Sequence, residues 1–363
     1  MEIYVWQLKP SMHQLNLVKG LKKISSTYLI FQEENLATER KAMGWNDDGL
    51  KPDFLLERKE DMTKFIYSLN SSSYHLFGGF KSSPELIVAL KLCIKLKMKV
   101  YVQSEASDYF GLKGKLRVLL DKWKVRKMKD QISGVFAIGT LGVNYFNLIG
   151  FDKNKIFPFG YFMNFPKKID KSRSKLVGSN FQLIFVGRLI KQKGVLQLLK
   201  ALRFVEGNWH LTIIGNGPEE SNLKAIVCKD TKLKERVKFE NFMNNKKVLI
   251  KIRNSDLLVL PSIGKEGWGA VVSESLMQGI PAVVTEKCGS SMLLNNSNRG
   301  EIVRANSKES LSLAIASRVQ KGKLDSNQKS QIIQWANCLS GDMAAKYVID
   351  TMLNKKPINP WVN

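Results

Sequence analysis

The sequence predicts an α/β architecture of two doubly wound domains facing across a cleft. Three observations point to it. The chain is 363 residues long, above the size at which a single hydrophobic core stops growing. Short β-rich runs alternate with helical patterns along most of it, as in parallel sheets covered on both faces. The alternation breaks once, at the polar and basic stretch NFPKKIDKSRSKLVGSN, Asn164–Asn180.

Taken in order, Met1–Trp6 reads as a strand and His13–Ile24 as a helix. Tyr28–Phe31, Tyr74–Phe77, Lys99–Gln103 and Gly134–Ile138 are further strands, with an amphipathic stretch at Pro84–Met98. The break places a linker at 166–180 between domains at 1–165 and 181–340. Strands are then expected at Phe181–Val186, Trp209–Ile214, Val237–Phe239, Leu257–Leu260 and Ala282–Thr285. Helices are expected at Val195–Phe204, Pro218–Cys228, Lys246–Arg253, Ala270–Gln278 and Lys308–Val319. Asn327–Asn354 reads as helical before Pro357 and Pro360. The segment 341–363 is expected to return to the first domain.

Hydrophobic residues make up 44% and charged residues 25%, a globular composition rather than a disordered one. The charge is the unusual feature. Lys+Arg is 57 against Asp+Glu 32, a formal +25, and such a field attracts polyanions. The four cysteines are scattered and histidine numbers three, so neither a zinc site nor a disulfide framework is expected. The N-terminus MEIYVWQLKP lacks the pattern of a signal peptide. No run reaches the ~18 apolar residues of a membrane span.

Ligands of doubly wound sheets bind beyond the carboxyl ends of the strands. Three motifs lie there. In FVGRLIKQKG, Phe185–Gly194, Gly187 permits close backbone approach. Arg188 can fork two diphosphate oxygens, and Lys193 adds a mobile charge. The plain alternative is two solvated cations. In GNGPEE, Gly215–Glu220, a glycine turn opens a helix with Pro218 at its first position. In PSIGKEGWGAVVSESLMQGIPAVVT, Pro261–Thr285, Glu266 lies in a loop and Glu274 on the helix that follows. The bared N–H groups of Gly269, Ala270 and Val271 would face an anion. The plain alternative is an acidic helix start favoured by the dipole.

The motifs FVGRLIKQKG, LTIIGNGP, DLLVLPS, EGWGAVVSESL and GIPAVVT resemble the retaining GT-B glycosyltransferases of family 4, the group 1 domain, over about Phe181–Arg304. The resemblance implies two Rossmann-like domains, the first for the acceptor and the second for a nucleotide sugar. It implies that Arg188 and Lys193 bind the donor diphosphate with Gly187 and the Gly269–Val271 backbone. It gives the ribose to Glu274 and the donor sugar, near the reacting carbon, to Glu266. Phe242 and Met243 fall at the base pocket. The implied reaction is a metal-independent hexosyl transfer from a UDP- or GDP-linked donor, with retention and without a cofactor.

The chain departs from the family at the first-strand loop, WQLKPSM, and at CGSSMLL, Cys288–Leu294. Where many members carry a histidine, this chain has QSEASD, which makes Glu105 the candidate acceptor-side catalytic group. A loop carboxylate capping the next element is its equal alternative. His75, in YHLFGGF, either lines the acceptor side or is a satisfied core histidine.

Leu112–Gln131, LKGKLRVLLDKWKVRKMKDQ, sets eight Lys/Arg against two Asp. Leu116, Leu119, Leu120 and Trp123 recur at helical spacing. Such a helix reads as a membrane-surface element or as one packing its stripe on the sheet with solvated lysines. The expectation is a cytoplasmic enzyme at the inner face of the cytoplasmic membrane, in contact with anionic lipid. Its acceptor would be a lipid-linked saccharide of O-antigen, capsule or exopolysaccharide synthesis. The alternative is an inactive nucleotide-sugar-binding partner of a polysaccharide assembly complex. Nucleic acid is not expected, because the basic segments carry no aromatic platform.

Overall fold

The computed structural model describes residues 1–33, 51–80, 83–163, 180–355, 359 and 361. The chain divides into two compact units: Met1–Asn164 with Cys338–Pro360, and Phe165–Asn337 with Trp361–Asn363. The expected linker, 166–180, lies outside the described residues apart from Asn180.

The first unit runs β1 (Glu2–Gln7), α1 (Met12–Ile24), β2 (Ser26–Phe31), β3 (Phe54–Leu55), α2 (Lys59–Ser68) and β4 (Tyr74–Phe77). It continues with α3 (Pro84–Lys95), β5 (Lys99–Glu105), α4 (Gly111–Val125), β6 (Gly134–Ile138), α5 (Gly139–Leu148) and β7 (Ile156–Phe159). Its sheet has the order β3-β2-β1-β4-β5-β6-β7, and the pairs are parallel. Parallel strands must be covered on both faces. Accordingly β4 and β6 are buried at every position.

The second unit runs β8 (Phe181–Val186), α6 (Val195–Leu202), β9 (Trp209–Ile214), α7 (Glu220–Cys228), α8 (Thr231–Arg236) and β10 (Val237–Glu240). It continues with α9 (Asn245–Arg253), β11 (Leu257–Leu260), α10 (Ala270–Met277), β12 (Ala282–Thr285), β13 (Gly300–Val303), α11 (Lys308–Lys321) and α12 (Ser326–Ala336). Its order is β10-β9-β8-β11-β12-β13, again with parallel pairs. In both units the strand order reverses beside the first strand, which opens a crevice at the carboxyl ends.

The expected helical tail is divided. α12 starts at a capping box between Asp325 and Gln328. A short 3-10 turn, Asn337–Leu339, interrupts the run before α13 (Gly341–Met352). Ser340 restarts it by accepting from the Met343 N–H. α13 packs on α1 so closely that a Cβ on Gly20 would strike the Gly341 backbone, and one on Gly341 would strike Asn16. Lys23 pairs with Asp342 across the same contact at 2.7 Å. Two other bounds shift. α7 begins at Glu220 rather than Pro218, because Glu219 N–H turns back to Leu189 O (3.0 Å). α3 stops at Lys95, ahead of Lys97 with its φ of 59°.

Candidate donor site in the second unit

The crevice of the second sheet lies between β8 and β11, the strands at which the order reverses. Two loops enter it. The loop after β8 carries Gly187, Arg188 and Lys193, and the loop after β11 carries Ser262 and Glu266. The two are packed backbone to backbone. Gly194 has φ +70°, and a Cβ there would collide with Pro261 O. Gly215 and Gly217 bring the loop after β9 against Gly187 and Leu189 in the same way. Glycine is required where backbones approach this closely.

This packing joins Lys193 Nζ to Glu266 Oε2 in an ion pair whose side chains are 17% and 18% exposed. Ser262 Oγ donates a second, longer hydrogen bond to the same oxygen, at 3.4 Å. Ser262 O in turn accepts from Thr285 Oγ1 at 2.6 Å, at the end of β12. Glu266 is also held by its main chain, donating to Lys287 O and accepting from Gly289 N–H, both at 2.9 Å. Arg188 is exposed on the neighbouring loop.

Gly269 caps α10 with φ 83°. The first N–H groups of that helix, at Ala270 and Val271, therefore have no intrahelical acceptor. Cys288 packs beneath Gly269. Its Sγ donates to Trp268 O (3.2 Å), and burial, with the Glu266 charge adding, pushes the thiol up to about 12. It is a core thiol, not a nucleophile.

Glu274 lies one turn into α10 and is partly buried. Desolvation holds its carboxyl above the usual value, opposed by a hydrogen bond from Asn245 Nδ2 to Oε1 at 2.9 Å. Asn245 opens α9 and was not singled out in the sequence. The cue available there was only a helix start after Phe242 and Met243. Phe242 is 60% exposed, and its N–H donates to Asn216 Oδ1 at 2.7 Å. Met243 beside it is partly buried.

A cavity of about 770 Å³ in this unit lies elsewhere. It is lined by Phe181, Asn208 and Gly322, at the amino ends of β8 and β9. Its lining holds a single cation, Lys323, among the described residues, whereas Lys193, Glu266 and the start of α10 lie at the opposite end.

The acceptor-side candidates lie in the first unit. Glu105 ends β5, and Tyr161 OH donates to its Oε1 at 2.6 Å. It lines a cavity of about 280 Å³ together with Gly78, Gly79, Ser104, Ser107 and Lys124. His75 does not line an acceptor surface. It is fully buried in β4, accepting from Trp6 Nε1 at 3.1 Å and meeting Ser73 Oγ at 2.9 Å. Gln7, which the motifs did not mark, ends β1 at this sheet's own crevice. It is 7% exposed, and its Nε2 has no hydrogen-bond partner among the described residues.

Residues 166–335 match the family profile "Glycosyl transferases group 1". Over that segment the chain is similar to the group 1 glycosyltransferases. The matched segment holds every donor-side residue above. An uncharacterised glycosyltransferase, YqgM of Bacillus subtilis, is 30% identical over 129 residues, 34% of this chain and 35% of that one. A UDP-Gal:alpha-D-GlcNAc-diphosphoundecaprenol alpha-1,3-galactosyltransferase of Escherichia coli is 27% identical over 196 residues, half of each chain. The chain spans about half or less of the length of these curated relatives.

Solved structures match nearly end to end. Anabaena Alr3699/HepE in complex with UDP gives a TM-score of 0.72 at 16% identity, over 97% of this chain and 99% of that one. The lipopolysaccharide outer core galactosyltransferase WaaB, apo form, gives 0.73 at 15%, over 98% and 100%. At such identities the likeness shows the fold. With the two parallel sheets, it places the chain in the GT-B class expected from the sequence.

Proposed function

We propose that the chain is a retaining glycosyltransferase that moves a hexosyl group from a nucleotide-diphosphate sugar to a lipid-linked saccharide. The observation that carries this is the convergence, at one crevice, of Lys193, Glu266 and the bared N-terminus of α10. A diphosphate supplies the charge such a site is built to receive.

Each residue then has a role. Arg188 and Lys193 take the diphosphate, and the Ala270 and Val271 N–H groups share its charge as the bond to the anomeric carbon breaks. Gly187 keeps the β8 loop clear of the phosphates. In the free protein Lys193 is engaged by Glu266. An incoming diphosphate draws the ammonium away and leaves the carboxylate for the donor sugar hydroxyls. Glu274, steadied by Asn245, accepts from the ribose. Phe242 and Met243 flank the base. The cations do the electrostatic work, so no metal has a part in this scheme.

UDP is the nucleotide we assign, supported by the UDP complex of the Anabaena structure and the UDP-Gal donor of the Escherichia coli relative. That relative's diphosphoundecaprenol acceptor supports a lipid-linked substrate. Relatives in lipopolysaccharide core and capsule synthesis support the same setting. On the acceptor side, Glu105 orients or deprotonates the attacking hydroxyl, and the Gln7 amide offers a second contact. A thermal-shift panel of nucleotide sugars tests the donor half. Arg188→Ala and Glu274→Ala should keep the melting temperature of the free protein and abolish the donor-induced shift. Unchanged shifts in both variants refute the site.

A further inference from the structure

α4 turns its apolar stripe outward. Leu112, Leu116, Leu119, Leu120 and Trp123 are between 51% and 85% exposed. Of the two readings of this helix, the one that packs the stripe on the sheet is thus overturned. The helix is seated by its other side. Gly114 approaches the Tyr109 backbone so closely that no Cβ fits. Asp121 is 2% exposed and accepts from Tyr145 OH at 2.6 Å. Val125 is buried in the core of the unit. At ~100° per residue, Gly114, Asp121 and Val125 centre about 180° from the leucine ridge. The ridge therefore cannot turn inward without exposing a buried carboxylate.

The exposed half is ordered as well. Around the helix, Lys113, Arg117 and Lys124 fall on one flank of the ridge and Lys115 and Lys122 on the other. All five are exposed. Arg126 stacks on the Trp123 ring at 5.4 Å. A long apolar ridge on a monomer surface marks an interaction site. A ridge of leucine and tryptophan between two rows of cations has the cross-section of a helix lying in a lipid interface. The apolar side chains enter the acyl boundary while the lysines reach the headgroups.

We propose that α4 docks the protein on an anionic phospholipid surface, with the Leu112–Trp123 ridge inserted and the flanking cations on the phosphates. The charge selects this occupant. A second copy would bring the same cations face to face, and a polyanion without an apolar phase would leave the leucines in water. The inference stands on α4 alone. Where the transferase reading also holds, it has a consequence: α4 lends Asp121, Lys124 and Val125 to the cavity that holds Glu105, so docking brings that cavity to the lipid from which the acceptor comes.

The test is co-sedimentation of the full chain with vesicles of phosphatidylcholine alone and of phosphatidylcholine mixed with phosphatidylglycerol. Binding to the mixed vesicles only is expected. The double variant Leu119→Gln/Trp123→Gln should lose more than tenfold in partition. Lys115→Gln/Lys122→Gln should lose about fivefold per lysine, a difference that shrinks as salt rises. Both should keep the wild-type donor-induced thermal shift, which separates this outcome from failure of the transferase site. Equal binding to neutral vesicles, or undiminished binding by the apolar variant, overturns the proposal. So does a wild-type dimer that Leu119→Gln/Trp123→Gln dissolves with no vesicle binding. Binding to single-stranded RNA as tight as to the anionic vesicles, and indifferent to the apolar variant, overturns it in favour of nucleic acid.

Discussion

His75 should make the first unit acid-sensitive without taking part in turnover. Its hydrogen bonds fix its tautomer. Trp6 Nε1 can only donate, so Nδ1 accepts. Ser73 Oγ donates to Asn70 O at 2.6 Å and is left to accept from the His75 Nε2–H. A second proton would put an N–H on Nδ1, facing the N–H of Trp6, in a site stacked on Tyr4 at 5.4 Å. Burial accordingly lowers the pKa from 6.5 to about 4. A depressed folded value means stability that is complete above the unfolded pKa and lost as pH falls toward the folded one. Between pH 7.5 and 5 the loss from this residue alone is ~2 kcal/mol. His75→Gln keeps a donor and an acceptor but does not titrate. Urea unfolding followed by tryptophan fluorescence should show the variant less stable than wild type at pH 7.5, with the gap narrowing by ~2 kcal/mol at pH 5. Its donor-induced thermal shift should be unchanged. A gap that stays constant over that range refutes the tautomer argument and the burial behind it.

Two further outcomes concern the donor site. Gly194→Ala forces a side chain into a left-handed backbone against Pro261 O and should destabilise the second unit by ~1–3 kcal/mol; with Lys193 displaced, the donor shift should shrink too, and an unperturbed protein on both counts refutes the loop packing. Glu274, with its carboxyl raised by desolvation, should be most favourable to the free protein when protonated, below the ordinary carboxylate value, whereas donor binding needs the carboxylate. Calorimetric affinity for UDP should therefore fall on acidification, and Glu274→Gln should be weak and flat with pH. A wild-type affinity independent of pH down to the carboxylate range counts against the ribose role.

The sequence was most readable where the pattern is local. β8 and β9 are largely apolar runs ended by glycine, β11 and β12 are short apolar runs, and the bounds of all four follow from the residues. Other elements were hidden by specific chemistry. β7 reads IFPF, and Pro158 argues against a strand unless it lies at a sheet edge, which is where β7 lies. α5, GTLGVNYFNL, has two glycines and little polar face because it is buried on several sides. β3 and β13 are short and gain their identity from neighbours rather than from their own residues. The site showed the same division. Lys193 and Glu266 stood out individually, but their pairing depends on Gly194 meeting Pro261, a contact between residues 67 positions apart (261 − 194). Asn245 carries no motif, and Gln7 falls in WQLKPSM, where the chain departs from the family pattern. The sequence of α4 by itself admits either direction, a stripe toward a lipid surface or a stripe on the sheet. Periodicity gives the angle of a stripe, whereas Gly114 and Asp121, two residues outside the stripe, decide which side faces in.

The two sheets share one topology, so strand order cannot say which unit takes which substrate. The chemistry at the two crevices can. In the second unit the crevice loops bring two cations and the amides of a helix start together beside Glu266, and the cations and amides only donate. They suit a ligand made of acceptors, as a diphosphate is. In the first unit the corresponding place offers the Gln7 amide, and the adjoining cavity offers Glu105, Ser104 and Ser107, groups that include acceptors. Those suit a ligand made of hydroxyls. This difference supports the proposed division, donor on the second unit and saccharide acceptor on the first, on grounds independent of the family match. Exchanging the character of one crevice, by Gln7→Lys, should leave the UDP-induced shift intact while impairing transfer; loss of the UDP shift instead would mean the division of labour is drawn in the wrong place.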